Sequence, residues 1–156
     1  VKLGYSRKNI KFRGMNIKEA YQEWSHQYDT NENKTRDLEA IALRSVLSKL
    51  ELNKVLEFGC GTGKNTVWFE KNAKEILSAD FSEAMIAKAT EKIKSPKVQF
   101  TIADINKAWD FTNQEFDLIS FSLVLEHIEN LDVVFSKIDK ITQTGSKVYI
   151  GELHPF

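Results

Sequence analysis

Three glycines at alternate positions, Gly59, Gly61 and Gly63, separate an apolar run from a polar stretch of helical composition in Val55-Leu56-Glu57-Phe58-Gly59-Cys60-Gly61-Thr62-Gly63-Lys64-Asn65-Thr66. Glycine adopts positive φ freely and has no Cβ to hold a ligand away from the main chain. A helix that starts beyond such a loop offers unpaired N–H groups and partial positive charge. Strand, glycine turn and helix start together make a bed for a polar small molecule. The competing reading is a tight strand-to-helix turn without a ligand, for which three glycines in five residues cost more chain entropy than a turn needs.

Two phosphate-binding patterns fail on this segment. The dinucleotide fingerprint G-x-G-x-x-G counted from Gly59 meets Lys64 at its last position, which disfavours a nicotinamide-dependent oxidoreductase. The phosphate loop G-x-x-x-x-G-K-[ST] counted back from Gly63 begins at Phe58, and Asn65 follows Lys64. Carboxylates give an independent signal. Asp80 closes a second apolar run, 17 residues after Gly63. In doubly wound folds an acidic residue at such a strand end accepts hydrogen bonds from ribose hydroxyls, and one carboxylate accepts two side by side. Asp104 closes a third run in the same way. Either aspartate alone would also serve as a cap for the following segment.

The elements that must position these groups follow from periodicity. Helices are expected over Asn16–Tyr28 and over Thr35–Leu50, the second with Thr35 as N-cap and with Leu38, Ala42, Val46 and Leu50 four apart beside Leu43 and Leu47. Strands are expected at Val55–Phe58, Glu75–Ala79, Val98–Ala103, Asp117–Phe121 and Lys147–Gly151. Between them come helices at Lys64–Lys71, Glu83–Ile93 (capped by Ser82 and broken by Ser95-Pro96) and Leu131–Ile141, with Gly145 ending the last connection. Strand–helix alternation predicts an α/β three-layer sandwich with a doubly wound, mostly parallel sheet.

Composition is that of one globular domain: 156 residues, 42% hydrophobic, 28% charged. Twenty-two basic and 22 acidic residues balance, so no whole-molecule field favours nucleic acid. The first thirteen residues carry a local basic cluster, Lys2, Arg7, Lys8, Lys11 and Arg13. Residues 1–14 lack periodicity and are expected to be a leader or arm, with the domain over 15–156. The single cysteine, Cys60, forms no internal disulfide and belongs to no zinc pattern. A reducing, cytoplasmic setting is the expectation, with no membrane span or secretory signal.

With these residues in place, "LEFGCGTGKNT" resembles the first motif of the class I S-adenosylmethionine (SAM) dependent methyltransferases, with Glu57 in its acidic place. "ADFSEAMIAKA" is similar to the second motif, and "DLISFSLVLEHI" to the fourth. The resemblance covers about residues 16–156. It implies a Rossmann-like methyltransferase fold of strand order 3-2-1-4-5. Its cofactor site would comprise Glu57, Gly59, Cys60, Gly61, Gly63, Asn65 and Asp80, with Phe81 and Met85 near the adenosine. Asp104 would meet the adenine amino group and Ile105 the ring, while Ser120, Phe121 and Ser122 would lie beside the sulfonium. It also places Tyr21 or Tyr28 over the cofactor and Arg36 on the methionine carboxylate. Glu126 and His127 would stand at the acceptor pocket, with His127 the candidate general base. A metal-binding E-x-x-E-H run in some relatives has Leu123 at its first position here, so no metal is expected.

The resemblance implies seven strands, and the chain provides five, so the last two family strands are missing. Self-association through the fifth-strand edge near Lys147–Gly151 is expected as a consequence. The leading reading is methyl transfer from SAM to a small-molecule acceptor. The alternative is a catalytically inactive protein that holds SAM or S-adenosylhomocysteine.

Overall fold

The computed structural model describes residues 33–153. The expected arm at 1–14 and the helix at 16–28, with Tyr21 and Tyr28, lie outside the described residues. Helix α1, Lys34–Leu47, starts one residue earlier than expected because Asn33, not Thr35, is its N-cap: Arg36 N–H donates to Asn33 Oδ1 at 3.0 Å. The buried face is Glu39, Ala40, Leu43 and Leu47. The expected stripe of Leu38, Ala42 and Val46 faces outward, with Leu38 67% exposed. The spacing of four was real, but two apolar stripes competed and the sheet took the one with Leu43 and Leu47.

Strands β1 (Leu52–Phe58), β2 (Ala73–Asp80), β3 (Val98–Ile102), β4 (Phe116–Ser122) and β5 (Thr142–Gly151) form one sheet of order β3-β2-β1-β4-β5, parallel throughout. Helices α2 (Thr66–Asn72), α3 (Glu83–Lys92) and α4 (Leu131–Ile138) connect them. The predicted strand order and α/β class are therefore present. The central strands β1, β2 and β4 bury residues on both faces, as a sheet covered on two sides must. Val55, Ile76 and Leu118 point to Leu43 and Leu47 of α1 and Phe69 of α2. Leu56, Phe58, Ile119 and Phe121 point the other way, to Val134 and Ile138 of α4.

Differences at the ends have local causes. Helix α4 stops at Ile138, three residues short, and Ile141 reaches the core from a turn. Strand β5 begins at Thr142, not Lys147. Its register jumps from Phe116↔Thr142 to Leu118↔Lys147, so Gly145 (φ +95°) sits inside a bulge instead of ending a loop. Ser146 Oγ donates to Phe116 O at 2.7 Å and accepts Gln143 N–H at 3.1 Å, which holds that bulge closed. Strand β5 is the outer strand of the described sheet, with Val148 and Ile150 nearly half exposed. Among the described residues, no helix is long and apolar enough to cross a membrane.

Candidate cofactor and active site

A cavity of about 620 Å³ opens at the carboxyl ends of the strands, within the usual size range of small-molecule sites. Its floor is the loop after β1. Gly59 N–H and Cys60 N–H both donate to Ala79 O, at 2.8 and 3.1 Å, drawing the loop over the end of β2. Gly59, Gly61 and Gly63 all have positive φ. A Cβ on Gly59 would lie 2.2 Å from Val124 Cγ2, so this glycine is required by close approach as well as by its backbone. Gly63 faces the other way: its missing Cβ makes room for Ile93 Cδ1 and Ala89 Cβ, and it does not line the cavity. The third glycine thus lets the C-terminal end of α3 pack on the loop.

Two buried carboxylates hold the floor. Glu57 is 3% exposed, and its Oε2 accepts Thr66 Oγ1–H at 2.5 Å and Ser78 Oγ–H at 2.8 Å. Burial lifts its pKa to about 7, against the two hydroxyls, which pull it down. Asp80 lines the cavity and accepts Gly61 N–H at Oδ2 (2.9 Å) and Ser82 N–H at Oδ1 (2.8 Å). Its pKa is raised by burial, with those amides opposing the shift. The Cys60 thiol, also on the cavity wall, is pushed up by burial and is a small apolar filler at neutral pH.

The remaining walls come from separate elements. Phe81 and Met85 line one side, and Asp104 and Ile105 another. Asp104 Oδ1 accepts Asn106 N–H at 3.0 Å, which tightens the loop after β3. The carbonyl of Ile105 is fixed by two donors, Trp109 Nε1–H and Lys137 Nζ, both at 3.0 Å, and Lys137 also donates to Lys107 O at 2.7 Å. Arg36 and Glu39 of α1, Asn65 and Ser122 also line the cavity.

Ser120 and Phe121 do not line it. Side chains alternate along β4, so Ser122 reaches the mouth. Phe121 turns to the opposite face and stacks on Phe58 at 5.5 Å, a core contact instead of the expected cofactor contact. Ser120 is fully buried.

After β4 the chain turns through Leu123, at φ 57°, into a single 3₁₀ turn, Leu125–His127. Glu126 and His127 both reach the cavity, their side chains about two-fifths exposed, with Glu126 Oε1 3.6 Å from His127 Nε2. The turn is held by a residue that sequence reasoning missed: Glu152 Oε1 accepts the amides of Val124 and Leu125 at 2.9 and 2.7 Å. Glu39 and Lys137 were missed as well. Glu39 lies within the family-like run "NKTRDLEA" but was given no role there, and Lys137 lies in no such run. Among the described residues, no group of His, Cys, Asp and Glu could hold a metal ion.

A parallel sheet of this order, with a glycine loop and strand-end carboxylates around one cavity, defines a Rossmann-like small-molecule-binding domain. The methyltransferase domain family matches residues 56–150, and the chain belongs to that family. It is 25% identical over 137 residues to a malonyl-[acyl-carrier protein] O-methyltransferase of Hamiltonella defensa, covering 88% of this chain and 52% of that protein. It is 24% identical over 154 residues to a demethylmenaquinone methyltransferase of Leptospira interrogans, covering 91% and 62%. Among solved structures, an S-adenosylmethionine dependent methyltransferase from Mesorhizobium loti superposes with a TM-score of 0.67 at 27% identity, covering 74% of this chain and 53% of that one. The chain thus spans only part of the length of these relatives.

Proposed function

We propose that this domain binds S-adenosylmethionine in the strand-end cavity and catalyses methyl transfer to a small-molecule acceptor. The observation that carries the reading is the pairing of bare main chain at Gly59–Gly61 with Asp80 and Asp104 at the ends of successive strands, all on one cavity. A purine nucleoside joined to an amino acid fits that arrangement. Asp80 grips the ribose, Asp104 and Ile105 meet the adenine, and Phe81 and Met85 pack against the nucleoside. Bound there, the cofactor supplies an electrophilic methyl on a sulfonium. The protein then has to align the acceptor in line and keep water out. Arg36, on the cavity wall, holds the cofactor's carboxylate. His127, on the rim beside Glu126, accepts the acceptor's proton. Further relatives are named for unlike acceptors, among them a phosphoethanolamine N-methyltransferase of Arabidopsis thaliana, so the acceptor atom is left to experiment. The outward edge of β5, with Val148 and Ile150 exposed, supports pairing between copies of the chain. A strictly monomeric sedimentation profile at high concentration would refute that pairing.

Titration calorimetry with S-adenosylhomocysteine and with NAD tests the cofactor. One-to-one binding of the first and none of the second is expected; the reverse pattern overturns the reading. A methyl-transfer assay across a metabolite panel then tests catalysis. His127→Gln should slow transfer while leaving the affinity for S-adenosylhomocysteine intact. Equal rates for the two proteins would remove His127 from the reaction.

A further inference from the structure

We propose that Lys137, together with Trp109, is a positioning residue: it clamps the loop after β3 in the shape that selects adenine over another purine base, an inference that rests on the cofactor reading above. That loop carries Asp104 and Ile105, which both line the cavity. Lys137 belongs to α4 and does not line the cavity itself. Its Nζ donates to Ile105 O at 3.0 Å and to Lys107 O at 2.7 Å. One ammonium thus gathers two carbonyls of the same turn. Trp109 Nε1–H donates to Ile105 O at 3.0 Å as well. Lys137 Nζ also sits over the Trp109 ring, 5.5 Å from its centroid, which adds a cation–π contact to the same cluster.

With two donors on it, the Ile105 carbonyl is saturated, which fixes the peptide plane between Ile105 and Asn106. Further bonds carry this constraint to Asp104. Asn106 N–H donates to Asp104 Oδ1 at 3.0 Å, and Asn106 Nδ2 to the same oxygen at 3.3 Å. Lys107 N–H closes the turn on Asp104 O at 3.0 Å. Upstream, Ala103 N–H is tied to Asp80 O at 2.9 Å. The Trp109 ring packs on Phe58 with centroids 4.5 Å apart. Residues 103–115 form neither helix nor strand. Bonds from outside the loop therefore set its shape, and α4 supplies two of them through Lys137.

The consequence for recognition follows from the chemistry of Asp104. A carboxylate accepts hydrogen bonds and does not donate. It favours a base with an exocyclic amino group over one with an oxo group, which offers it no proton. That preference needs the carboxylate held to within about 0.5 Å, and the neighbours that lock a binding group provide this. Lys137 could also act on Asp104 by charge alone: burial pulls the lysine pKa below its ordinary 10.5, and the charge of Asp104 opposes the shift. A pure charge effect would leave the turn where it is, so the two roles separate in an experiment that watches the turn.

The test compares two ligands on the wild-type chain, Lys137→Met and Lys137→Arg. One is S-adenosylhomocysteine; the other is S-inosylhomocysteine, in which an oxo group replaces the adenine amino group. The wild-type chain should prefer the first. Lys137→Met keeps an apolar stem and removes both donors. It should weaken S-adenosylhomocysteine about tenfold, the scale of one charge-assisted hydrogen bond, and S-inosylhomocysteine by less than about twofold. Hydrogen exchange at the amides of Asn106 and Lys107 should quicken in the same variant. Lys137→Arg keeps charge and several donors and should restore both readouts. Trp109→Phe removes the second donor to Ile105 O, should shift the preference in the same direction, and carries the comparison if Lys137→Met does not fold. Equal weakening of both ligands, an unchanged preference, or no preference in the wild-type chain overturns the clamp. So does a lost preference with unchanged exchange, which would assign Lys137 to the charge of Asp104. Failure of the wild-type chain to bind either ligand is a separate result: it removes the cofactor reading, and the clamp's role with it.

Discussion

Asp80 Oδ2 accepts the amide of Gly61 at 2.9 Å, tying the end of β2 to the middle of the glycine loop. Because Oδ1 takes Ser82 N–H as well, this carboxylate shapes the cavity before it meets a ligand. Asp80→Ala should therefore lower both stability and affinity. Two buried amides lose their acceptor, at about 1–3 kcal/mol each. Asp104 is the control. Its amide partner lies in an exposed loop, so Asp104→Ala should weaken S-adenosylhomocysteine while shifting stability by no more than about 0.5 kcal/mol. Thermal melts and calorimetry on the two variants check this. A melt unchanged in Asp80→Ala would contradict the bracing role.

Gly59 and Val124 test the close approach. Gly59→Ala would place Cβ 2.2 Å from Val124 Cγ2 and also force φ +68° on an alanine. The backbone part costs about 1–2 kcal/mol, and overpacking adds about 1–3 kcal/mol. Val124→Ala removes Cγ2, so the double variant should recover the packing share and keep the backbone share. Denaturant unfolding of the four proteins measures the coupling. Strict additivity would mean that the loop relaxes away from Val124.

Glu57 predicts a pH dependence of stability. Burial raises its pKa from the ordinary 4.5 to about 7 in the folded chain. A raised folded-state pKa means the folded form binds this proton more tightly than the unfolded form does. The protonated side chain's contribution is full below about pH 4.5, declines as pH rises, and is gone above about pH 7. The window spans roughly 3 kcal/mol at 1.36 kcal/mol per unit. Glu57→Gln mimics the protonated form and can still accept from Thr66 and Ser78. It should gain stability over the parent at pH 8 and lose most of that gain at pH 5. A pH-independent difference would assign the burial cost of Glu57 to something other than its charge.

Much of this was legible in the sequence because it is local. The glycine loop, the strand-end positions of Asp80 and Asp104, and Ser82 as cap of α3 each depend on a few consecutive residues. What was not legible depends on contacts across the fold. Periodicity in α1 offered two apolar stripes, and only the position of the sheet selects Leu43 and Leu47 over Leu38 and Val46. Phe121 and Gly63 occupy motif positions but face the core and α3, because side-chain direction follows strand parity and loop path. Glu39, Lys137 and Glu152 reach the site from helices and a strand end through contacts that local sequence does not specify. Buried or bridging charges of this kind leave no periodic trace.

Glu152 gives the last prediction. Leu123 holds a left-handed backbone, unusual outside glycine, and its N–H donates to Gly151 O at 2.8 Å. Immediately after it, the amides of Val124 and Leu125 both bond to Glu152 Oε1. The end of β5 thus fixes the turn that carries Glu126 and His127. Glu152→Ala frees two amides and removes the charge-assisted anchor, so hydrogen exchange at Val124 and Leu125 should accelerate by about tenfold or more. Exchange at Gly61, which is held by Asp80, should stay as it was. If His127 takes the acceptor's proton, the same variant should lose kcat while the KM for the cofactor changes little, because turn position matters to the reacting atoms and not to the nucleoside. Glu152→Gln keeps an oxygen in place and should restore most of the loss. A rate defect with unchanged exchange at Val124 and Leu125 would show that Glu152 acts on the substrate directly and not through the turn.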